Sequence, residues 1–275
     1  MSLRLLIIGA HPDDADYAAG GTAALYRVRG HVVRMVSLTN GDAGHHEQSG
    51  SKLAQRRSGE ANAAGAVIGA IYQLFDIHDG ELQPSLENRA KVIQLIRSFE
   101  PDLILTHRPN DYHPDHRYTS QLVQDAAYMI TVPAVVPGTK HLMANPVIAY
   151  LPDEFQKPYP FQPTIAVDVG PVVDNIVDML HCHTSQFYEW LPYNTQTLDQ
   201  VPKGESQRRI WLAEQVKSRL GKQAERFRGQ LMECYGPQRG KAVEYAEAFE
   251  WCEYGAPFDD AAARRLFPFV FENCA

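Results

Sequence analysis

Leu3-Arg4-Leu5-Leu6-Ile7-Ile8-Gly9 runs without a break into Ala10-His11-Pro12-Asp13-Asp14. The first seven residues are a short, nearly continuous apolar run, the pattern of a strand covered on both faces in a parallel sheet. The next five place an imidazole and two carboxylates where that strand must end. Residues 16–29 then carry Ala18, Ala19, Ala23, Ala24, Leu25 and Val28, and Gly30 closes them, as in a helix with a glycine stop. The pattern repeats. Residues 32–38, 71–75 and 102–106 read as strands, and 52–68, 86–99 and 117–130 as helices, with a polar, glycine-rich loop over 39–51. This alternation predicts an α/β fold: a Rossmann-like doubly wound, mostly parallel sheet with helices on both faces.

In the strand order 3-2-1-4, strands 1 and 4 are neighbours at the switch point, where ligands bind beyond the carboxyl ends of the strands. Chemistry should therefore gather after those two strands, and it does. The loop after strand 4 reads Asn110-Asp111-Tyr112-His113-Pro114-Asp115-His116-Arg117. It and the 10–14 loop are the two densest His/Asp loops in the chain. Two imidazoles and a carboxylate around an open position are what a catalytic zinc requires. The surplus acid and imidazole are free for proton transfer. The residue types alone do not say which aspartate would bind and which would move protons. A GxGxxG fingerprint is missing from the first loop, and two aspartates would repel a pyrophosphate, which argues against a nicotinamide cofactor.

Further along, 147–151 and 164–169 read as strands, 172–190 and 206–234 as helices, and 191–204 as a connection. Ile210, Ala213, Val216, Leu220, Ala224, Phe227 and Leu231 form one apolar stripe, suited to a core or a subunit interface in a possible homo-oligomer. The expectation is a single domain over 1–275, with a core at about 3–190 and a C-terminal helical extension at about 191–275. With 275 residues, 44% of them hydrophobic and 21% charged, the composition is globular. A net charge of −7 with no basic cluster argues against nucleic acid. No stretch approaches the length of a membrane span. The apolar run at 5–8 ends too early for a signal peptide. Cysteines 182, 234, 252 and 274 form no CxxC pair and read as reduced thiols. Together these point to a cytoplasmic enzyme.

Several short motifs cluster in the same region: Ala10-His11-Pro12-Asp13-Asp14, His113-Pro114-Asp115-His116, Thr39-Asn40-Gly41-Asp42-Ala43-Gly44, Arg57-x-x-Glu60, Asp79-Gly80-x-Leu82 and His183-x-Ser185-Gln186. In them the chain resembles the PIG-L/LmbE-like family of zinc-dependent N-deacetylases, over about residues 3–190. The resemblance implies that His11, Asp14 and His116 are ligands of Zn2+, although the same ligands suit other divalent transition metals. It implies that Asp13 is the general base acting on zinc-activated water. It implies that His113, as imidazolium, steadies the oxyanion or protonates the leaving amine, and that Asp115 orients His113 and raises its pKa. The implied reaction removes an N-acetyl group from a glucosamine-type sugar, so the partner is a small N-acetylated molecule.

Arg57 is a candidate substrate contact, its alternative being an ion pair with Glu60 at i,i+3. His183 is a second candidate, through its motif. Asp16 reads as a helix N-cap. His45 and His46 are solvated or lie over the pocket, and His107 stands at a strand end near it. A Cys182/His nucleophile is disfavoured, because adjacent helix residues point apart. Two alternatives stand beside the sugar deacetylase. One is an amidase acting on a non-sugar N-acyl substrate. The other is a non-enzymatic sugar- or metal-binding module, against which the intact Asp13 and His113 argue.

Overall fold

The computed structural model describes residues 2–272. Its order is β1 (Arg4–Gly9), α1 (Asp14–Val28), β2 (Val32–Ser37), α2 (Gly50–Ile68), β3 (Ile71–Leu74), α3 (Leu86–Phe99), β4 (Leu103–Thr106), α4 (Pro114–Met129), β5 (Val147–Tyr150), β6 (Ile165–Asp168) and α5 (Val173–Cys182). After these come α6 (Leu191–Asn194), α7 (Glu205–Arg226), α8 (Arg228–Tyr235) and β7 (Ala246–Trp251), among shorter turns. The strands form one sheet in the order β3-β2-β1-β4-β5-β7-β6. β1 pairs in parallel with both β2 and β4, so the loops that follow β1 and β4 leave the sheet side by side. This is the expected juxtaposition.

The period of two explains why β1 is apolar throughout. Leu5 and Ile7 enter one core and Leu6 and Ile8 the other, and none of the four is exposed. α2 stops where Gly69 adopts φ +67. α4 starts with Pro114 in its first turn behind an extended His113, where a missing N–H costs nothing.

Three expectations are corrected. Residues 172–190 are not one helix: α5 ends at Cys182, His183 leaves the helical region (φ −82, ψ 61), and Gln186–Trp190 forms a π turn. The break carries the His183 ring to buried Asp16, with Nε2 2.8 Å from Oδ2. Residues 206–234 are two helices, divided at Phe227 (φ −107, ψ 23), whose buried ring packs on Phe161. The extension is also not purely helical, because β7 inserts antiparallel between β5 and β6.

Glu247 of β7 has a second task. α1 is broken at Ala19 (φ −141, ψ 19), which frees N–H groups in mid-helix. The fully buried Glu247 carboxylate accepts from Gly21 N (2.7 Å), Thr22 N (2.8 Å) and Thr22 Oγ1 (2.7 Å). It therefore caps the second half of α1 from the far end of the chain. A Cβ on Gly21 would come within 2.5 Å of Val169 Cγ1, so this close approach needs glycine.

Among the described residues no helix is long and apolar enough to cross a membrane. Cys182 and Cys252 are free thiols, both pushed up in pKa by burial, and Cys182 donates to Asp178 O rather than to a histidine. Cys274 lies outside the described residues.

Candidate metal centre

The end of β1 is built around Asp14. Its Oδ2 accepts from the N–H of Ala10 (2.9 Å) and of His11 (2.7 Å), folding the loop back over the start of α1. A Cβ on Gly9 would lie 2.6 Å from Asp14 Cβ, so the strand must end in glycine. The first turn of α4 brings His116 across from the neighbouring strand. His11 Nδ1 and His116 Nε2 are 3.1 Å apart, and they lie 3.5 and 3.6 Å from Asp14 Oδ2. Ligand atoms at the usual zinc bond lengths stand roughly 3.3–3.6 Å apart at tetrahedral corners. The triangle thus fits one small divalent cation, and His113 and His107 stand close enough to form ligand groups with His11 and His116 and with Asp14 and His116 respectively.

Carboxylates stand behind both rings, as they do behind metal-ligating histidines. His11 Nε2 lies 3.2 Å from Asp79 Oδ1 and 3.4 Å from Asp115 Oδ2. His116 Nδ1 lies 3.1 Å from Asp111 Oδ1. His107 stacks on His116, centroids 4.0 Å apart, with Nε2 3.1 Å from Asp14 Oδ2. Asp79 and Asp111 are the positions that residue-by-residue reading missed. Their signal was present, since Asp79 opens the DGxL turn and Asp111 sits just ahead of HPDH.

The two neighbouring aspartates are driven apart. Burial lifts the Asp13 carboxyl above the usual range, against the pull of Arg57. Burial also acts on Asp14, but His116 and His107 overcome it and hold that carboxyl well below the usual range. The neighbouring charges thus favour the ionised form of Asp14, while burial disfavours that of Asp13. Such divergence marks acid–base assignments.

His113 lines the cavity, but Asp115 does not orient it, which corrects the expectation. The Asp115 carboxylate accepts from the backbone of Gly80 (2.7 Å) and Leu82 (3.3 Å) and faces His11. What His113 receives is the Asp115 backbone N–H, at Nδ1 (3.2 Å). A neutral ring accepting there carries its proton on Nε2. The Asp115 charge does pull the pKa of His113 upward, but burial, with His11 and His116 nearby, outweighs it and lowers it.

Arg57 is buried and takes neither expected role in full. It lines the cavity, but its Nη2 donates to Asp13 Oδ1 at 2.9 Å. Glu60 pairs instead with Arg56 (3.1 Å) and accepts from Ser185 Oγ (2.6 Å). Gly41 (φ +69) makes room for the guanidinium, since a Cβ would lie 2.5 Å from Arg57 Nη1. Gly41→Ala is accordingly expected to dislodge Arg57 from Asp13 and to lower kcat at least about tenfold with metal content unchanged, as turnover and elemental analysis would report.

His183 is fully buried, does not line the cavity and pairs with Asp16. Asp16 is no N-cap; it lies inside α1 and also accepts from Tyr72 Oη (3.2 Å). His45 pairs with Glu189 (2.8 Å) and stacks on His46, and neither lines the cavity. The cavity has a volume of about 390 Å³; beyond the triad its walls include Arg57, Asp79, His113, Gln186, Trp190 and Asn194.

The fold and the site define an α/β protein with a metal-sized His₂Asp triad at the switch point of its sheet. Residues 6–127 match the model of the PIG-L family, described as GlcNAc-PI de-N-acetylase. The 4-oxalmesaconate hydratase of Pseudomonas putida is 27% identical over 201 residues, covering 70% of this chain and 78% of that protein. The 1D-myo-inositol 2-acetamido-2-deoxy-alpha-D-glucopyranoside deacetylase 1 of Saccharopolyspora erythraea is 26% identical over 239 residues, covering 68% and 79%. In fold, the chain matches the 4-carboxy-2-hydroxymuconate hydratase of Pseudomonas putida with a TM-score of 0.73 at 21% identity, over 94% of this chain and 99% of that one. Relatives of this chain are thus named as deacetylases and as hydratases.

Proposed function

We propose that this protein is a metal-dependent amide hydrolase that removes the N-acyl group of a small, hydroxyl-rich amine of the glucosamine type. The observation that carries the reading is the His11–Asp14–His116 triangle, sized for one divalent ion, with Asp13 beside it and held by Arg57. His11, Asp14 and His116 would hold the metal, Zn2+ or a similar divalent ion. When bound, such an ion supplies Lewis acidity toward a carbonyl and lowers the pKa of water to about 7.

The chain's own residues do the rest. Asp13, held by Arg57, takes a proton from the attacking water and returns it to the departing nitrogen. His113 offers Nε2–H to the carbonyl oxygen as negative charge gathers there. Asp79, Gln186 and Asn194 offer donors and acceptors for hydroxyls.

A second reading, hydration of an unsaturated acid, is favoured by the hydratase relative. It needs cations for carboxylates, and the guanidinium in this cavity is already engaged by Asp13 and faces Asp79 at 3.8 Å. Treatment with a chelator is expected to remove metal and to lower amine release from N-acylated sugars at least about 100-fold, with recovery on adding Zn2+. Metal-loaded protein that consumed unsaturated dicarboxylates but released no amine from any N-acyl compound would establish the hydratase instead. Tight sugar binding without turnover would establish a binding module.

A further inference from the structure

Two of the three triad residues border two cavities: Asp14 and His116 line both, as do Asp13, Tyr112 and Leu191, while His11 lines only the first. The first is the polar cavity above. The second, about 450 Å³, opens toward β5; Tyr17, Leu151, Pro152, Phe155 and Phe187 form an apolar wall, and Asp111, Asp153 and Glu154 stand along its other side. Its rim is bare: Tyr17, Phe155, Leu191 and Tyr112 are 42%, 39%, 40% and 72% exposed. Large apolar side chains gathered around one opening mark a binding surface. The far wall comes from α7, where Arg219 lies over Tyr17 with Cζ 4.0 Å from the ring centroid and Gln223 stands nearby. This wall lies outside the matched residues 6–127.

We propose that the second cavity receives the acyl group of the amide, and that this group is an aliphatic chain of about six to ten carbons rather than acetyl. The proposal rests on the amide-hydrolase reading. An amide whose carbonyl carbon sits at the triad projects its amine and its acyl part in different directions. The hydroxyl-bearing amine matches the polar cavity, with Arg57, Asp79, Gln186 and Asn194. The acyl part then faces the apolar one. An acetyl methyl fills about one share of 30 Å³ and would leave those walls wet. The atoms balance as in any amide hydrolysis: water adds its oxygen to the carbonyl carbon, the C–N bond breaks, and Asp13 delivers the proton to the amine.

The test measures amine release by metal-loaded, full-length protein from glucosamines acylated with two, four, six, eight and ten carbons. A buried methylene contributes up to about fourfold in binding. The expected kcat/KM therefore rises about 10- to 100-fold from acetyl to octanoyl, mostly through KM. Ala18→Phe, filling the cavity from α1, and Gln223→Trp, filling it from α7, should each bring the octanoyl-to-acetyl ratio near one. That ratio is internal to each protein, so partial misfolding does not confuse it. A flat or falling series with acetyl hydrolysed overturns the proposal and leaves the hydrolase reading intact. If no chain length is hydrolysed, the hydrolase reading fails, and calorimetric titration decides the cavity. Tighter binding of N-octanoylglucosamine than of N-acetylglucosamine, lost in both variants, supports it, and equal binding overturns it.

Discussion

Asp13→Asn is expected to lower kcat by about 10²- to 10⁴-fold while the protein keeps the metal content of the parent. Asparagine matches aspartate in shape, so the hydrogen bond from Arg57 Nη2 to Oδ1 has a counterpart. The triad His11, Asp14 and His116 does not include residue 13 and should stay assembled. The lost property is the ability to take a proton. Asp14→Asn should behave differently, because it removes the anionic corner of the proposed metal site, whose ionised form His116 and His107 favour. There metal and turnover should fall together. Elemental analysis alongside amine release separates the two outcomes, and an Asp13→Asn protein as fast as the parent would end the base assignment.

The switch-point argument needed only the apolar run at 3–9, three more strands and the helices between them, all of which alternate strongly enough to read. The pairing of β1 with β4 then brought His11 to His116 without any knowledge of side-chain packing. What could not be read were directions. Asp115 and Asp79 converge on His11 because the DGxL turn folds against the first turn of α4, a tertiary contact with no periodicity in sequence. His183 read as a substrate contact because His183-x-Ser185-Gln186 matches a motif of the resembled family. The fold spends it on Asp16, breaking a helix whose apolar pattern runs straight through the break. β7 was hidden for a related reason: its six residues include two charged ones, Glu250 and Glu247, and the partners of Glu247 are groups of Gly21 and Thr22 in α1.

That residue carries the second large effect. Glu247→Ala is expected to destabilise the fold by about 3–5 kcal/mol. It removes an acceptor of three hydrogen bonds and leaves the N–H groups of Gly21 and Thr22 buried without partners. Denaturant unfolding should move to a lower midpoint with little change in slope. Glu247→Gln keeps one oxygen and should lose less. The glutamine also tests a charge effect. Burial raises the carboxyl of Glu247 in the folded protein. The unfolded chain therefore ionises first, and this group's contribution to stability falls as pH rises above about 4.3. The Gln variant should lack that decline, so its deficit relative to the parent should be largest in acid and shrink toward neutral pH. A deficit independent of pH would rule the charge effect out.

The reach of β7 back to α1 also sets the order in which a nascent chain can finish. The helix that positions the AHPDD loop is made well before its cap: its second half waits for Glu247, more than two hundred residues later in the chain. Until then the segment holding Asp13 and Asp14 rests on an uncapped kink. A shortened gene ending at residue 127 or 190 should thus yield a metal loop without its anchor, and vectorial synthesis delays a competent site until the last strand slots into the sheet.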